Sequence, residues 1–168
     1  MRALGIDPGS RVTGWGVVEG ARGAVRHVAS GTIVLGGAAP LAERLARLGR
    51  EVGRLVAAWE PMAVALERAF VARNVQSALR LGEARGAVLA AVGATTTPLH
   101  EYTPAAVKLA AVGHGRADKD TVVRGVTLLL GLGVRPVTDA ADALALALCH
   151  LQHAPLEAAL ARAEGTRA

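Results

Sequence analysis

Apolar and polar residues change their spacing several times along this chain, and each change marks an element. Residues 2–7, 12–19 and 24–35 are β-rich segments, split by the turn signals Pro8-Gly9-Ser10 and Gly20-Ala21-Arg22-Gly23. Connections this short join antiparallel neighbours, so a meander is expected. From Pro40 to Trp59 the apolar residues Leu41, Leu45, Leu48, Val52 and Leu55 recur at helical spacing, with Arg and Glu between them. Residues 62–67 then read as a strand, and the helix before it allows parallel pairing with the first.

The second half continues the alternation. A long helix is predicted over 74–93, then a strand over 96–102. Thr103-Pro104 opens the next helix, with Thr as cap and Pro at the first helical position. Asp118 caps a further helix through about Leu130, and after the 131–138 linker a final helix runs from Asp139 to about Gln152. The order β-β-β-α-β-α-β-α-α-α predicts a three-layer α/β fold, a mixed central sheet flanked by helices. One domain over residues 1–154 is expected, followed by an Ala-rich tail, 155–168, that is a short loose helix or disordered.

Composition narrows the function. A chain of 168 residues, 52% of them hydrophobic, can bury a proper core. The single Cys149 excludes an internal disulfide and fits a reducing compartment. No signal stretch opens the chain and no apolar run reaches the ~20 residues of a membrane helix, so a cytoplasmic protein is expected. Formal net charge is +5. Basic residues number seventeen Arg but only two Lys, Lys108 and Lys119, and the excess of positive charge favours a polyanionic partner.

Four acids carry the candidate chemistry. Asp7 ends the apolar run Ala3-Leu4-Gly5-Ile6, and Glu67 ends Met62-Ala63-Val64-Ala65-Leu66. Asp139 and Asp142, three apart at the front of an apolar helix, share one face. Each alone has a plain alternative as a turn, strand-end or helix-dipole acid. Together, at strand ends and a helix start, they can converge, and converging carboxylates call for a cation such as Mg²⁺ or Mn²⁺. In two-metal phosphodiester hydrolysis the ions lie roughly 3.5–4 Å apart and share a bridging ligand. Asp7 is the candidate bridge.

The flanking residues resemble a known family. Gly5-Ile6-Asp7-Pro8-Gly9-Ser10-Arg11-Val12-Thr13-Gly14-Trp15-Gly16 is similar to the opening motif of the RuvC Holliday junction resolvases. Glu67-Arg68-Ala69-Phe70, Asn74, Ser77–Gly82 and Ala84-Arg85-Gly86 resemble its middle segment, and Asp139–Ala145 its C-terminal motif. The resemblance spans residues 2–153 and implies a ribonuclease H-like fold. It implies a homodimer that nicks two opposed strands of a four-way DNA junction symmetrically, leaving 5′-phosphate and 3′-hydroxyl ends, alongside RuvA and RuvB. Asp7, Glu67, Asp139 and Asp142 become the catalytic metal ligands, with two Mg²⁺ per subunit and Mn²⁺ as a substitute.

Other residues take expected roles through the same resemblance. Phe70, flanked by Arg68 and Arg73, would stack on an unpaired base, an interaction worth ~1–3 kcal/mol. Lys108 and Lys119 would lie near the scissile strand, where Lys suits a phosphate oxygen. Arg73, Arg80, Arg85, Arg116 and Arg124 are further phosphate-contact candidates. Ala78, Gly82, Gly86 and Ala90 form a small-residue stripe on the 74–93 helix, suited to close approach by the sheet of the same subunit or by a partner helix; the resemblance favours the dimer. An actin-like ATPase is excluded by length. A ribonuclease H-like RNA-processing nuclease and a non-catalytic DNA-binding scaffold remain as alternatives.

Overall fold

The computed structural model describes residues 1–21, 24–68 and 75–165. Strands β1 (Arg2–Asp7), β2 (Val12–Ala21) and β3 (Ala24–Val34) pair antiparallel in sequence order, as the short connections require. Helix α1 (Leu41–Trp59) carries the chain to β4 (Ala63–Glu67), which pairs parallel to β1. Helix α2 (Val75–Gly93) then leads to β5 (Leu99–Tyr102), parallel to β4. The mixed sheet has the order β3-β2-β1-β4-β5. Helices α3 (Pro104–Val112), α4 (Lys119–Leu129) and α5 (Thr138–Gly165) complete the chain.

The predicted caps form. Thr103 Oγ1 accepts from the Ala106 amide at 3.2 Å with Pro104 at the first helical position, and Asp118 Oδ1 accepts from the Thr121 amide at 2.7 Å. Two boundaries move. Strand β5 starts at Leu99 rather than 96, because Thr95 Oγ1 donates to the Val92 carbonyl at 2.7 Å and accepts from the Thr97 amide at 3.2 Å, holding 95–97 in a turn. Helix α5 passes the expected end near Gln152 and reaches Gly165, since the Ala-rich tail has high helix propensity.

Side-chain alternation in the strands sorts the core into two layers. Leu4, Ile6, Val64 and Leu66 face α1 and α2, joining Val52, Val56 and Val88. Ala3 and Ala65 point the other way, into the layer of Val107, Val126, Leu144 and Leu148 from α3, α4 and α5. Period two therefore puts Asp7 and Glu67 on the second side, the side of α5.

Helix α5 lies directly on that face because glycines make room. A Cβ on Gly5 would stand 1.9 Å from the Ala143 carbonyl oxygen, and one on Gly14 would stand 1.9 Å from that of Asp139. One on Gly16 would meet the Leu144 side chain at 2.7 Å. Backbone contact of this kind is open only to glycine. Through it the first turns of α5 reach the end of β1.

Candidate active site

Asp7 is the last residue of β1, at the edge where the parallel strands end, and it pairs with Gly14 of β2. Ile6 pairs with Leu66, so Glu67 ends the adjacent strand beside it. Since the Asp139 carbonyl sits over Gly14, the start of α5 lies next to Asp7 as well. Two strand ends and one helix start thus bring four acids into one electrostatic neighbourhood.

Burial and mutual charge couple them. Burial, then the charges of Asp142 and Glu67, push the Asp7 carboxyl up to about 7, with Asp139 adding to the rise and Lys119 opposing it. Glu67 is raised by burial and by Asp142, and Asp142 by burial and by Asp139. Lys119 and Lys108 oppose both shifts. The two lysines predicted for DNA therefore also share the field of the acids. Lys119, at the start of α4, is itself exposed and stands 3.6 Å from Asp142 Oδ2.

Among the described residues, no three His, Cys, Asp or Glu side chains are gathered closely enough to hold an ion as they stand. The donor chemistry and the shared field of the acids decide the fit. Carboxylate oxygens are hard ligands and suit Mg²⁺ or Mn²⁺ over softer metals. A divalent cation would also relieve the repulsion felt at Asp7, Glu67 and Asp142. On those grounds the residues fit.

The turn after Asp7 is held by a side chain that the sequence reading did not single out. Thr13, fully buried, accepts from the Gly9 amide at 3.2 Å and donates to the Gly9 carbonyl at 3.4 Å. Thr13→Val keeps the shape and removes both bonds. It is expected to lower stability by about 1–2 kcal/mol in denaturant melts and to slow turnover by loosening Asp7.

Arg85, on α2, changes role. Its guanidinium donates to the Glu67 backbone carbonyl and to the Glu101 carboxylate. The side chain is 13% exposed, which removes it from the phosphate-contact candidates and makes it a positioning residue for Glu67. Arg85→Ala is expected to cost about 1–3 kcal/mol and to reduce cleavage, with the salt dependence of DNA binding unchanged. Arg124 is also committed, pairing with Asp120 at 2.8 Å. Arg116 is exposed in the connection between α3 and α4, and Arg80 is exposed on α2. Phe70 and Arg73 lie outside the described residues.

The small-residue stripe is divided. Ala78 and Gly82 line a cavity of about 180 Å³ with Asp7, Glu67 and Arg85. Gly82, Gly86 and Ala90 are exposed, and among the described residues nothing lies within 4 Å of a Cβ built on either glycine. The sheet of the same subunit therefore does not explain these glycines.

Comparison with known proteins agrees with the geometry. The family described as crossover junction endodeoxyribonuclease RuvC matches residues 3–150. A protein of that description from Alkalilimnicola ehrlichii is 52% identical over 162 residues, covering 96% of this chain and 98% of its own. The solved structure "Thermus thermophilus RuvC structure" superposes with a TM-score of 0.83 at 37% identity, over 94% of this chain and 97% of that one. Another, "T. thermophilus RuvC in complex with Holliday junction substrate", gives 0.87 at 36% identity over 94% and 96%.

Proposed function

The chain belongs to the RuvC family of crossover junction endodeoxyribonucleases, and on that premise we propose that it resolves four-way DNA junctions by paired, symmetric nicks during homologous recombination and repair. The observation that carries this reading is the coupled set of Asp7 and Glu67 at two strand ends with Asp139 and Asp142 at the start of α5, and Lys108 and Lys119 in its field. We propose these four acids as the ligands of divalent cations, two Mg²⁺ per subunit, with Mn²⁺ able to substitute. When bound, the ions supply an activated water and stabilise the leaving oxygen.

The chain's own residues do the remaining work. Asp7, on a strand inside the sheet, offers a rigid central carboxylate. Thr13 holds the turn behind it, and Arg85 holds the backbone of Glu67. Lys108 and Lys119 sit where a scissile phosphate adds negative charge to a site already crowded with it, and each offers a compact counter-charge. Phe70, beyond Glu67, is suited to stack on a base near the cut. Products with 5′-phosphate and 3′-hydroxyl ends follow from attack by water on phosphorus with departure of the 3′ oxygen.

A homodimer suits a nearly two-fold junction, because it presents two sites to two opposed strands. The exposed face of α2 with Gly82, Gly86 and Ala90 is the proposed contact. RuvA and RuvB are the proposed partners and the cytoplasm the proposed location; among the described residues no helix is long and apolar enough to cross a membrane. Residues 1–154 are the proposed nuclease domain. Sedimentation equilibrium at micromolar concentration is expected to give the dimer mass, and a monomer with and without junction DNA would remove the paired-nick model. The function itself is tested by incubating fixed and mobile four-way junctions with the protein, with and without Mg²⁺, and mapping nicks on every strand. Symmetric nicks on two opposed strands, only with metal, are expected; equal cutting of linear duplex would overturn the reading.

A further inference from the structure

A second cavity, of about 400 Å³, lies between the β1–β2 turn, the first turns of α1 and the N-terminal half of α2. Three arginines line it: Arg11 at the end of the turn, Arg44 from α1 and Arg80 from α2. Among the described residues, Glu83 is the only acid in its lining. Arg44 is anchored, donating to the Ser10 carbonyl, and its Nε is buried with no hydrogen-bond partner among the described residues. Among the described residues, Arg11 and Arg80 form no ion pair and no side-chain hydrogen bond. Guanidinium groups gathered around one concavity repel, and a single Glu neutralises only one of the three. The arrangement gains from an anion, and planar arginines suit phosphate oxygens.

Position identifies the anion. The cavity with the acids and the cavity with the arginines share α2 as a wall. Ala78, Leu81, Gly82 and Arg85 border the first, while Leu79, Arg80 and Glu83 border the second. The β1–β2 turn joins them too, since Asp7 and Pro8 line one and Ser10 and Arg11 the other. A strand whose phosphate sits at the acids can follow α2 and this turn to put a further phosphate among the arginines.

We propose that the cavity of Arg11, Arg44 and Arg80 is a second phosphate site, which holds the backbone of the junction strand on one side of the scissile bond. The proposal rests on the nuclease reading above. It separates two tasks: the acid site cuts, and the arginine site sets the register and direction of the strand.

The test uses the full-length protein, a fixed four-way junction and a linear duplex of the same length, with affinity measured by fluorescence anisotropy across a salt series in the presence of Ca²⁺. Wild-type cleavage of the same junction in Mg²⁺ checks the function independently; if that fails, the nuclease reading fails first. For the double variant Arg11→Gln, Arg80→Gln, junction affinity is expected to fall roughly tenfold at moderate salt, and the log–log salt slope by about one to two. The duplex should show a smaller change. Arg11→Lys with Arg80→Lys keeps the charge and should restore most of the slope. Arg80 is exposed, so Arg80→Gln alone, expected to lower the slope by about one, serves if the double variant melts early. An unchanged slope in the Gln variants, or a loss as large in the Lys variant, overturns the proposal. A loss equal on junction and duplex assigns the site to general DNA attraction and also overturns it. Millimolar inorganic phosphate should weaken junction binding by the wild type more than by the Gln variant at matched ionic strength; equal competition in both contradicts a phosphate site there.

Discussion

Asp7→Asn is expected to abolish junction cleavage, a loss beyond about 10²-fold, while junction affinity stays near that of the wild type. The same change is expected to make the metal-free protein more stable at neutral pH. Burial and the neighbouring acids push the Asp7 carboxyl up to about 7 in the folded chain, against an ordinary value near 3.8. For a carboxyl with a raised folded pKa, the folded state holds the proton that the unfolded state releases. Stability contributed by the protonated group is fully present below about pH 4 and is lost as pH rises toward 7. The full shift corresponds to about 4 kcal/mol as an upper limit. Asn carries no charge to bury, so melting temperature of the variant should vary less over this window. Thermal melts at pH 5 and pH 8, with EDTA, measure it. A variant less stable than the wild type at pH 8 would contradict the burial and crowding assigned to Asp7. Ions must also displace the proton, so metal affinity in the wild type should rise with pH up to about 7.

Gly14→Ala carries the second large effect. The added methyl would stand 1.9 Å from the carbonyl oxygen of Asp139, in the backbone of α5 rather than a movable side chain. The helix must lift away from β2 or the strand must bend. Overpacking costs about 1–3 kcal/mol in ordinary cores, and a backbone clash belongs at or above the top of that range. If the variant folds, Asp139 and Asp142 are displaced relative to Asp7. A shift of about 1 Å is worth on the order of 10²-fold in rate. Gly133→Ala, in the connection between α4 and α5, is the control, since among the described residues a Cβ there has nothing within 4 Å. It should behave as the wild type in melts and in cleavage. Wild-type cleavage by Gly14→Ala would mean that the close seating of α5 does not set the acid geometry.

Much of this organisation was legible in residue spacing. The order of strands and helices follows from period two, helical spacing and the turn signals. Asp7 and Glu67 fall on one face because Ala3 and Ala65 do. Other features were hidden because their cause is tertiary. Gly5, Gly14 and Gly16 stand in the sequence only as members of a motif, and only the path of α5 across them reveals a docking groove. Arg85 and Arg80 look alike in a list of basic residues on one helix; a difference of five positions turns one inward onto Glu67 and leaves the other exposed. Thr13 was visible only as part of a motif, since its partner Gly9 becomes evident once the turn is formed. Strand β5 starts late for the local reason that Thr95 closes a turn, which propensity alone does not indicate.

The central claim is that Asp7, Glu67, Asp139 and Asp142 form one site for divalent cations. Anomalous diffraction from crystals of the full chain grown with Mn²⁺ tests it most directly. Two peaks per subunit are predicted, within about 4 Å of each other, with Asp7 between them and Glu67, Asp139 and Asp142 completing their shells. Peaks elsewhere on the surface, or none among these four carboxylates at saturating Mn²⁺ and pH 8, would contradict it.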